Sequence, residues 1–382
     1  MKKVIVIGHD AVNALGLIQS LGREGLYVVA VIIGETSSLI KSSKYVKEMY
    51  FVNGLQEIPQ FLIDNFNAEN KIPVFPAGDG VALILDQNFA KLNANFCFEH
   101  ANGDYTIEQL MDKELQISIA KSHNFNVPKS FFLHKPFDLP ASMIYPCIVK
   151  PLVSCLGDKR DIHIATSEIE LRYILDKQIN YSDDIIIQQY INKDYEYDIM
   201  GCSFKDGTVY IPLSDRMVKF NRFLQDTSTI SYIEPLDEDI SKEIVKIYSL
   251  MQTVKYNGLF SVEFMHNEVD GQIYFTEINF RNDGENAFIV HSGVNLPFLH
   301  YQDLCDLPRK SFTPSSKSRK FIWEGIHFNA LIYKQISFWE WLSDLKGVDG
   351  FLYYFKEDPK PFFQQFSSKF SKIRDRFKRL LK

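Results

Sequence analysis

The stretch GLFSVEFMHNEVDGQIYFTEINFR, residues 258–281, decides the fold. Two segments with alternating apolar and polar residues flank an Asp-Gly turn at 270–271. This pattern is typical of an antiparallel β-hairpin. Folding the chain about the turn sets Glu263 roughly opposite Glu277, so the sequence predicts two carboxylates that face each other on adjacent strands.

Such a carboxylate pair needs a cation, because like charges directly opposite on neighbouring strands are destabilising. The two-residue period of a strand places Asn279 and Arg281 on the same face as Glu277. Two carboxylates and an amide oxygen suit Mg2+, with Mn2+ as a substitute. Arg281 could hold a phosphate or carboxylate oxygen. The alternative is a surface hairpin whose acidic side chains are solvated.

Two earlier segments could contribute to a nucleotide site. An apolar strand at 143–150 ends on Lys150, and the polar loop SCLGDKRD at 154–161 could close over phosphates. In IIIQQYINKDYEYD, residues 185–198, backbone groups at a strand end could pair with an adenine edge and Glu196 could bind a ribose hydroxyl. The alternatives are a lysine that extends from its strand into solvent and a strand that leaves the core for a loop.

Residues 1–104 alternate strands and helices, which predicts an α/β domain with a parallel, Rossmann-like sheet covered on both faces. Residues 105–315 follow an α+β pattern, with subdomains at about 105–186 and 187–315, and 316–382 form a C-terminal extension. Helices are predicted at 12–24, 55–66, 81–92, 106–124, 167–177 and 238–253, and strands at 4–7, 27–33, 72–75 and 185–189.

Composition narrows the function. The net charge of -6 gives no reason to expect a nucleic acid partner. The five cysteines form no CxxC pair, which argues against a disulfide framework or zinc site and favours a cytoplasmic location. The N-terminal apolar run at 4–7 is too short for a signal peptide. No window approaches the roughly 18 apolar residues of a membrane span.

The order of these pieces resembles the ATP-grasp superfamily over about residues 105–285. The pieces are MDKEL with Lys113, CIVKP with Lys150, IIIQQYI, FSVEF and TEINFR. Within the superfamily the chain looks most like the carboxylate–amine ligases, including those related to D-aspartate ligase. NALGLIQSLGREG near the N-terminus and DPKP at 358–361 also favour that group.

The resemblance implies a role for each candidate residue. Lys113 and Lys150 would hold the α- and β-phosphates of ATP, and Arg281 would contact the transferring phosphate or the acyl phosphate. Glu196 would bind ribose. Adenine would meet Gln188 and the backbone around Gln189, Tyr190 and Ile191, and the metal ligands would be Glu263, Glu277 and Asn279. The chain departs from the family in having Gln188 where Glu is frequent and Phe280 where the motif often reads EINPR.

The implied activity is an ADP-forming ligation of a small-molecule carboxylate to an amine through an acyl phosphate. One alternative is a carboxylase or carbamoyl-phosphate-type enzyme that uses bicarbonate, and another is a nucleotide-binding protein without catalysis. A nicotinamide-dependent dehydrogenase fits poorly, because Gly8 and Gly16 do not form a GxGxxG motif.

Residues on the substrate side are less defined. The basic stretch SDRMVKFNRF, between predicted strands, could bind an anionic substrate or be a solvated loop; it contains Arg216, Lys219 and Arg222. Past predicted strand ends lie His9, Asp10 and Asp79, where ligands bind in open α/β sheets. Asp79 could hold an amine or cap the helix that precedes Val81.

The C-terminal segment 366–382 carries seven basic residues and one acidic residue, and its apolar side chains share one helical face. Such a helix could lie on an anionic membrane surface at the inner face. It could equally pack on its own protein or on a second subunit of a homodimer.

Overall fold

A computed structural model describes residues 2–9, 11–34, 38–67, 69–152, 162–177, 179, 183–221 and 227–366. Its N-terminal part is a parallel sheet in the order β3-β2-β1-β4-β5. The strands are β1 (Lys3–Gly8), β2 (Tyr27–Ile33), β3 (Val46–Val52), β4 (Ile72–Pro76) and β5 (Phe96–Cys97). The helices are α1 (Val12–Gly22), α2 (Ser38–Lys41), α3 (Ile58–Asn65), α4 (Asp79–Gln87) and α5 (Phe89–Leu92), with a 3-10 turn at Leu55–Glu57.

The continuous apolar runs of this sheet follow from burial on both faces. Val4 and Val6 of β1 belong to the cluster around α1, whereas Ile5 and Ile7 pack with α3 and α4 on the other face. The predicted Rossmann-like parallel sheet is therefore confirmed.

A small antiparallel sheet follows, in the order β7-β10-β8-β9. Its elements, after the short strand β6 (His100–Ala101), are α6 (Ile107–Leu110), α7 (Lys113–Ser122), β7 (Ser130–His134), β8 (Cys147–Pro151), β9 (His163–Ala165), α8 (Glu168–Lys177) and β10 (Asp184–Gln189). Val149 and Ile187 pack with Leu171 of α8 on one face. By strand alternation, Lys150 and Gln188 point to the opposite face.

The largest sheet runs in the order β16-β15-β11-β13-β14-β17-β18, with β12 paired to β11 and β6 paired to β15. Its strands are β11 (Lys193–Ser203), β12 (Val209–Tyr210), β13 (Ser214–Asn221), β14 (Thr227–Glu234), β15 (Tyr256–Asn267), β16 (Ile273–Asn279), β17 (Arg319–Ile322) and β18 (Gly350–Phe351). The accompanying helices are α9 (Glu238–Val254), α10 (Asn286–His291), α11 (Leu296–Leu304), α12 (Glu324–Ile332) and α13 (Phe338–Asp344). Tyr197, Ile199 and Val262 pack with α9 on one face, so the residues that alternate with them lie on the other.

The C-terminal part is joined to both other parts. β17 pairs with β14 and so continues the large sheet. Asp358, which is 1% exposed, accepts hydrogen bonds from Gln19 of α1 (3.2 Å), Ser43 (2.5 Å) and the Lys44 amide (2.9 Å). Asp358, the acidic residue of the DPKP motif, thus joins the C-terminal part to the N-terminal domain through three hydrogen bonds.

Two predicted elements were wrong in detail. The helix predicted at 106–124 is two helices, because the Asp112 side chain accepts from the Leu115 amide (2.8 Å) and starts α7 anew. The helix predicted at 81–92 begins at Asp79 and is interrupted at Asn88.

Some predictions concern residues outside the described ranges: those on Asp10, the loop at 154–161, Arg222 and residues 367–382. Among the described residues, no helix is long and apolar enough to cross a membrane.

Candidate nucleotide and metal site

The predicted hairpin is confirmed, including its register. Glu263 of β15 pairs with Glu277 of β16, and Ser261 pairs with Asn279. The ladder shifts register directly after Glu263. The Asn279 side-chain amide donates to the Glu263 carboxylate (Nδ2 to Oε1, 3.0 Å). The three predicted metal ligands therefore lie side by side on one face of the sheet.

This trio fits a divalent cation. Burial, followed by the charge of Glu277, raises the pKa of Glu263 well above its usual range. A cation bound between the carboxylates would remove that repulsion. The Asn279 amide would present its oxygen instead of its nitrogen after a half-turn about its terminal bond, because the oxygen and the NH2 group are nearly the same size. Three oxygen ligands are the set that Mg2+ takes from proteins, with phosphate and water completing its shell.

Helix α7 is held against the outer edge of β16 by a buried glutamine. Gln116, 6% exposed, donates to the carbonyls of Ile278 (2.8 Å) and Leu110 (2.8 Å) and accepts from the Ile278 amide (3.1 Å). Ile278 lies between Glu277 and Asn279 in the chain. Lys113, the first residue of α7, lies one helical turn before Gln116 and is therefore held on the side of β16 that carries the metal trio.

Lys150 converges on the same place from the small sheet. Desolvation, followed by the charge of Lys113, lowers the pKa of Lys150 to about 8, while Glu277 and Glu263 oppose the shift. These electrostatic neighbours mean that both lysines and both carboxylates share one region. A cluster of two ammonium groups beside two carboxylates is suited to a polyphosphate with its cation.

The predicted adenine segment lies at the end of β10. Gln188 is 5% exposed, and its side-chain nitrogen donates to the Ser130 hydroxyl (2.9 Å). Two of the hinge amides are already used within the protein, since Gln189 donates to the Lys129 carbonyl (2.8 Å) and Tyr190 to the Pro146 carbonyl (3.1 Å). Of the backbone groups at 189–191, this leaves the Ile191 amide and the carbonyls for the predicted contact with adenine.

Glu196 lies on the same face of the large sheet as Glu263, because it pairs with Met265, two residues further along β15. Its carboxylate forms an ion pair with Lys193 (2.7 Å). Both side chains are less than one-fifth exposed. The ion pair fixes the direction of the carboxylate, and its predicted contact with ribose stays a prediction.

Arg281 connects the hairpin to the N-terminal domain. Its Nε donates to Asp79 (2.8 Å), and its Nη1 donates to Asp283 (3.0 Å). Burial lowers the pKa of the guanidinium, but the negative charges of Asp79 and Asp283 raise it by more, so the net shift of this pKa is upward. The predicted capping role of Asp79 was wrong, because Gly78 occupies the N-cap of α4 and no side-chain cap bond forms. Asp79 orients Arg281 instead.

The basic stretch around Arg216 was misplaced by the sequence interpretation. It is the strand β13 and not a connection between strands. Arg216 forms a bidentate ion pair with Glu234 (2.8 and 3.1 Å), and Lys219 pairs with Glu340 (2.8 Å) and Asp344 (2.6 Å) of α13. These described side chains are committed to contacts within the protein. His9 lies exposed past β1, with its Nδ1 3.2 Å from the Ile33 carbonyl.

Sequence reasoning missed a second acidic group on the same face of the sheet. Asp198 of β11 pairs with Glu263 on one side and with Asp215 of β13 on the other. Asp283 and Glu285 follow β16 in the next loop. The signal was present in YEYD at 195–198, because Asp198 alternates in phase with Glu196.

The parallel-sheet domain, the small antiparallel sheet and the large sheet that carries the acidic hairpin together form an ATP-grasp fold. The fold is similar to that of an L-amino acid ligase from Bacillus licheniformis, with a TM-score of 0.61 and 16% identity over 80% of this chain and 74% of that one. It is also similar to N5-carboxyaminoimidazole synthetase from Staphylococcus aureus complexed with ADP, with a TM-score of 0.67 and 14% identity over 88% of this chain and 86% of that one.

The sequence similarity to known proteins covers the residues of the candidate nucleotide and metal site. Residues 111–281 match the family described as D-ala D-ala ligase C-terminus. A D-alanine--D-alanine ligase from Campylobacter jejuni is 29% identical over 191 residues, which are 48% of this chain and 54% of that protein. The chain thus spans about half the length of this relative. The matched stretch contains every residue predicted to contact ATP or the metal.

Proposed function

We propose that the protein is an ATP-dependent ligase that joins a small-molecule carboxylate to an amine through an acyl phosphate and releases ADP and phosphate. The observation that carries this proposal is the facing pair Glu263 and Glu277 with Asn279 beside it, on which Lys113 and Lys150 converge from two other elements. The match to the ligase family over 111–281 supports the proposal.

The reaction has two steps. An oxygen of the substrate carboxylate attacks the γ-phosphorus of ATP, and the bond from that phosphorus to the bridging oxygen of ADP breaks. The amine nitrogen then attacks the carbonyl carbon of the acyl phosphate, loses a proton and expels phosphate, which leaves an amide. Phosphoryl transfer of this kind depends mainly on positioning and on neutralising phosphate charge.

The chain's own residues supply that positioning. Lys113 and Lys150 hold the α- and β-phosphates. Asp79 and Asp283 fix the Arg281 guanidinium through Nε and Nη1, so its remaining nitrogen, Nη2, is directed to the transferring phosphoryl group. An arginine held on two sides loses little rotational freedom when it binds a phosphate oxygen.

Glu263, Glu277 and Asn279 would hold Mg2+, or Mn2+ in its place. When bound, the ion would neutralise charge on the β- and γ-phosphate oxygens. The adenine ring would lie on the face of the small sheet that carries Ile148 and Ile186, next to Gln188 and the Ile191 amide. Glu196, fixed by Lys193, would accept a ribose hydroxyl.

The proposal is tested by a screen for ADP formation. Purified protein receives ATP, Mg2+ and one carboxylate from a panel of amino acids, small organic acids and bicarbonate, with hydroxylamine as a trap. An acyl phosphate reacts with hydroxylamine to give a hydroxamate, which ferric ion colours and mass spectrometry identifies. We expect one class of organic carboxylate to give equal amounts of ADP and hydroxamate. Stimulation by bicarbonate alone would favour the carboxylase alternative, and the absence of turnover with every acid would favour a binding protein.

Two further predictions concern partners. We propose that 366–382, which carries seven basic residues and one acidic residue, contacts an anionic membrane surface at the inner face. Deleting 367–382 would then abolish sedimentation with phosphatidylserine vesicles. A homodimer is also proposed, and sedimentation velocity tests it.

A further inference from the structure

The second acidic group forms a pocket of its own. Oxygens of Asp198, Asp283 and Glu285 all lie within 4.8 Å of one another. Asp198 projects from the central strand β11, and the other two come from the loop after β16. The pocket shares no residue with the trio Glu263, Glu277 and Asn279, although Asp198 and Glu263 are partners across adjacent strands.

Unpartnered buried carboxylate oxygens face this pocket. Asp198 is 2% exposed, and its Oδ1 accepts no hydrogen bond from any described residue. Asp215, directly across the ladder, is 0% exposed, and within the same described ranges neither of its oxygens accepts a hydrogen bond with acceptable geometry. Burial raises the pKa of Asp215 well above its usual range, although the nearby Ser231 hydroxyl opposes the shift. A buried, charged carboxylate without a donor is costly, so a cationic donor would stabilise the charged form of these groups.

The pocket lies at the junction with the N-terminal domain. Asp283 binds Arg281, which in turn binds Asp79 of α4. The backbone of Gly284 is packed so closely on α1 that an added Cβ would come within 2.6 Å of the Asn13 side-chain oxygen and 2.9 Å of Val12. A group bound in this pocket is therefore adjacent to the arginine that we assign to the transferring phosphoryl group.

Charge and the number of donors together indicate what the pocket binds. The carboxylates of Asp198, Asp283 and Glu285 lie together, and the guanidinium of Arg281, which pairs with Asp283, is already shared with Asp79. An ammonium group offers three N–H donors, one for each pocket carboxylate. Three acceptors at about 2.8 Å around a tetrahedral nitrogen lie about 4.6 Å apart, which is compatible with three carboxylate oxygens that all lie within 4.8 Å of one another.

We infer that Asp198, Asp283 and Glu285 bind the ammonium group of the amine substrate, so that the acceptor is an amine that enters as a cation and releases one proton to water before its nitrogen attacks the acyl phosphate. This inference rests on the proposed ligase function. It specifies the acceptor as a cationic amine, because an uncharged or anionic nucleophile would have no favourable charge interaction with the carboxylates of the pocket.

The test uses charge-neutral variants of the full chain. Asp198→Asn and Glu285→Gln keep the shape and remove one charge each, and Asp283 is left unchanged because it holds Arg281. Glu69→Gln, an exposed side chain in the N-terminal domain, is the matched control. Hydroxamate formation from ATP, the carboxylate found in the screen and hydroxylamine is measured with ethylammonium chloride as competitor. Hydroxylamine is uncharged at neutral pH and does not need the pocket.

We expect ethylammonium to slow hydroxamate formation by the wild type and by Glu69→Gln. In both pocket variants its inhibition constant should rise about tenfold or more relative to Glu69→Gln, whatever the rate of hydroxamate formation without ethylammonium. If Asp198→Asn does not fold, as judged by circular dichroism, Glu285→Gln decides alone.

An unchanged inhibition constant in the folded variants overturns the inference and leaves the ligase function standing. A Mn2+ titration by electron paramagnetic resonance in which the wild type binds one more ion than Glu285→Gln also overturns it, because the pocket would then be a metal site. If the wild type forms no hydroxamate with any carboxylate, the proposed function fails and this inference fails with it.

Discussion

Replacing Gln116 by methionine, which has a similar length and no amide, should release α7 from the edge of β16. The substitution removes two hydrogen bonds to Ile278 and one to Leu110. Ile278 is 4% exposed, so its backbone groups find no water in exchange. Each buried group left unpaired costs about 1–3 kcal/mol. Because the apolar methionine offsets part of this loss, we expect a net local cost of about 2–4 kcal/mol.

Native-state hydrogen exchange measures this cost where it arises. A local cost of about 2–4 kcal/mol should accelerate exchange of the Ile278 amide by about 30- to 1000-fold. Affinity for MgADP should fall as well, because α7 positions Lys113. The control is Gln60→Met on the exposed face of α3, where the side chain bonds only to Asp64 across one helical turn. Unchanged exchange over residues 273–279, or undiminished nucleotide affinity, would refute this account of how Lys113 is positioned.

Three further predictions follow from particular contacts. Because the pKa of Lys150 is lowered to about 8, the lysine loses its proton as the pH rises through that value, and MgADP affinity should weaken above pH 8. In Lys150→Arg the affinity should stay constant between pH 7 and 9. Parallel pH profiles of MgADP affinity for the two proteins would contradict the assignment of Lys150 to the phosphates. Asp79→Asn should lower kcat about tenfold with little change in the KM for ATP, because one of the two carboxylates that hold Arg281 loses its charge, and an unchanged kcat would separate Asp79 from the reaction. Asp358→Asn should lower the free energy of unfolding in urea by about 2–4 kcal/mol, because three buried donors lose a charged acceptor. A loss below about 0.5 kcal/mol would show that this contact does not join the C-terminal part to the N-terminal domain.

The sequence alone was sufficient for the hairpin and the parallel sheet, because both depend on local patterns. Alternating apolar residues and the Asp-Gly turn bring Glu263 close to Glu277, and the register shift directly after Glu263 sets the two residues directly opposite each other. The order of Lys113 and Lys150 relative to the hairpin indicated the superfamily. The break in the helix at 106–124 was harder to predict. Apolar spacing alone predicts one continuous helix, but the N-cap at Asp112 divides it into two.

Contacts between distant parts of the chain could not be predicted. Asp79 and Arg281 are 202 positions apart, and no pattern around either residue indicates the other. The same holds for Gln116 and Ile278, 162 positions apart, because a glutamine among apolar residues of a helix does not reveal its partner. The acidic pocket needs strands β11 and β13 and the loop after β16 to be brought together. It therefore became visible only in three dimensions.

The central claim is that Glu263, Glu277 and Asn279 support phosphoryl transfer from ATP to a carboxylate. The most direct measurement compares the wild type with Glu277→Gln for ADP and hydroxamate formation in the presence of Mg2+, hydroxylamine and the activating carboxylate. The account predicts equal yields of ADP and hydroxamate from the wild type and loss of both products in the variant, with its circular dichroism spectrum unchanged. Normal ADP and hydroxamate release by folded Glu277→Gln would contradict it.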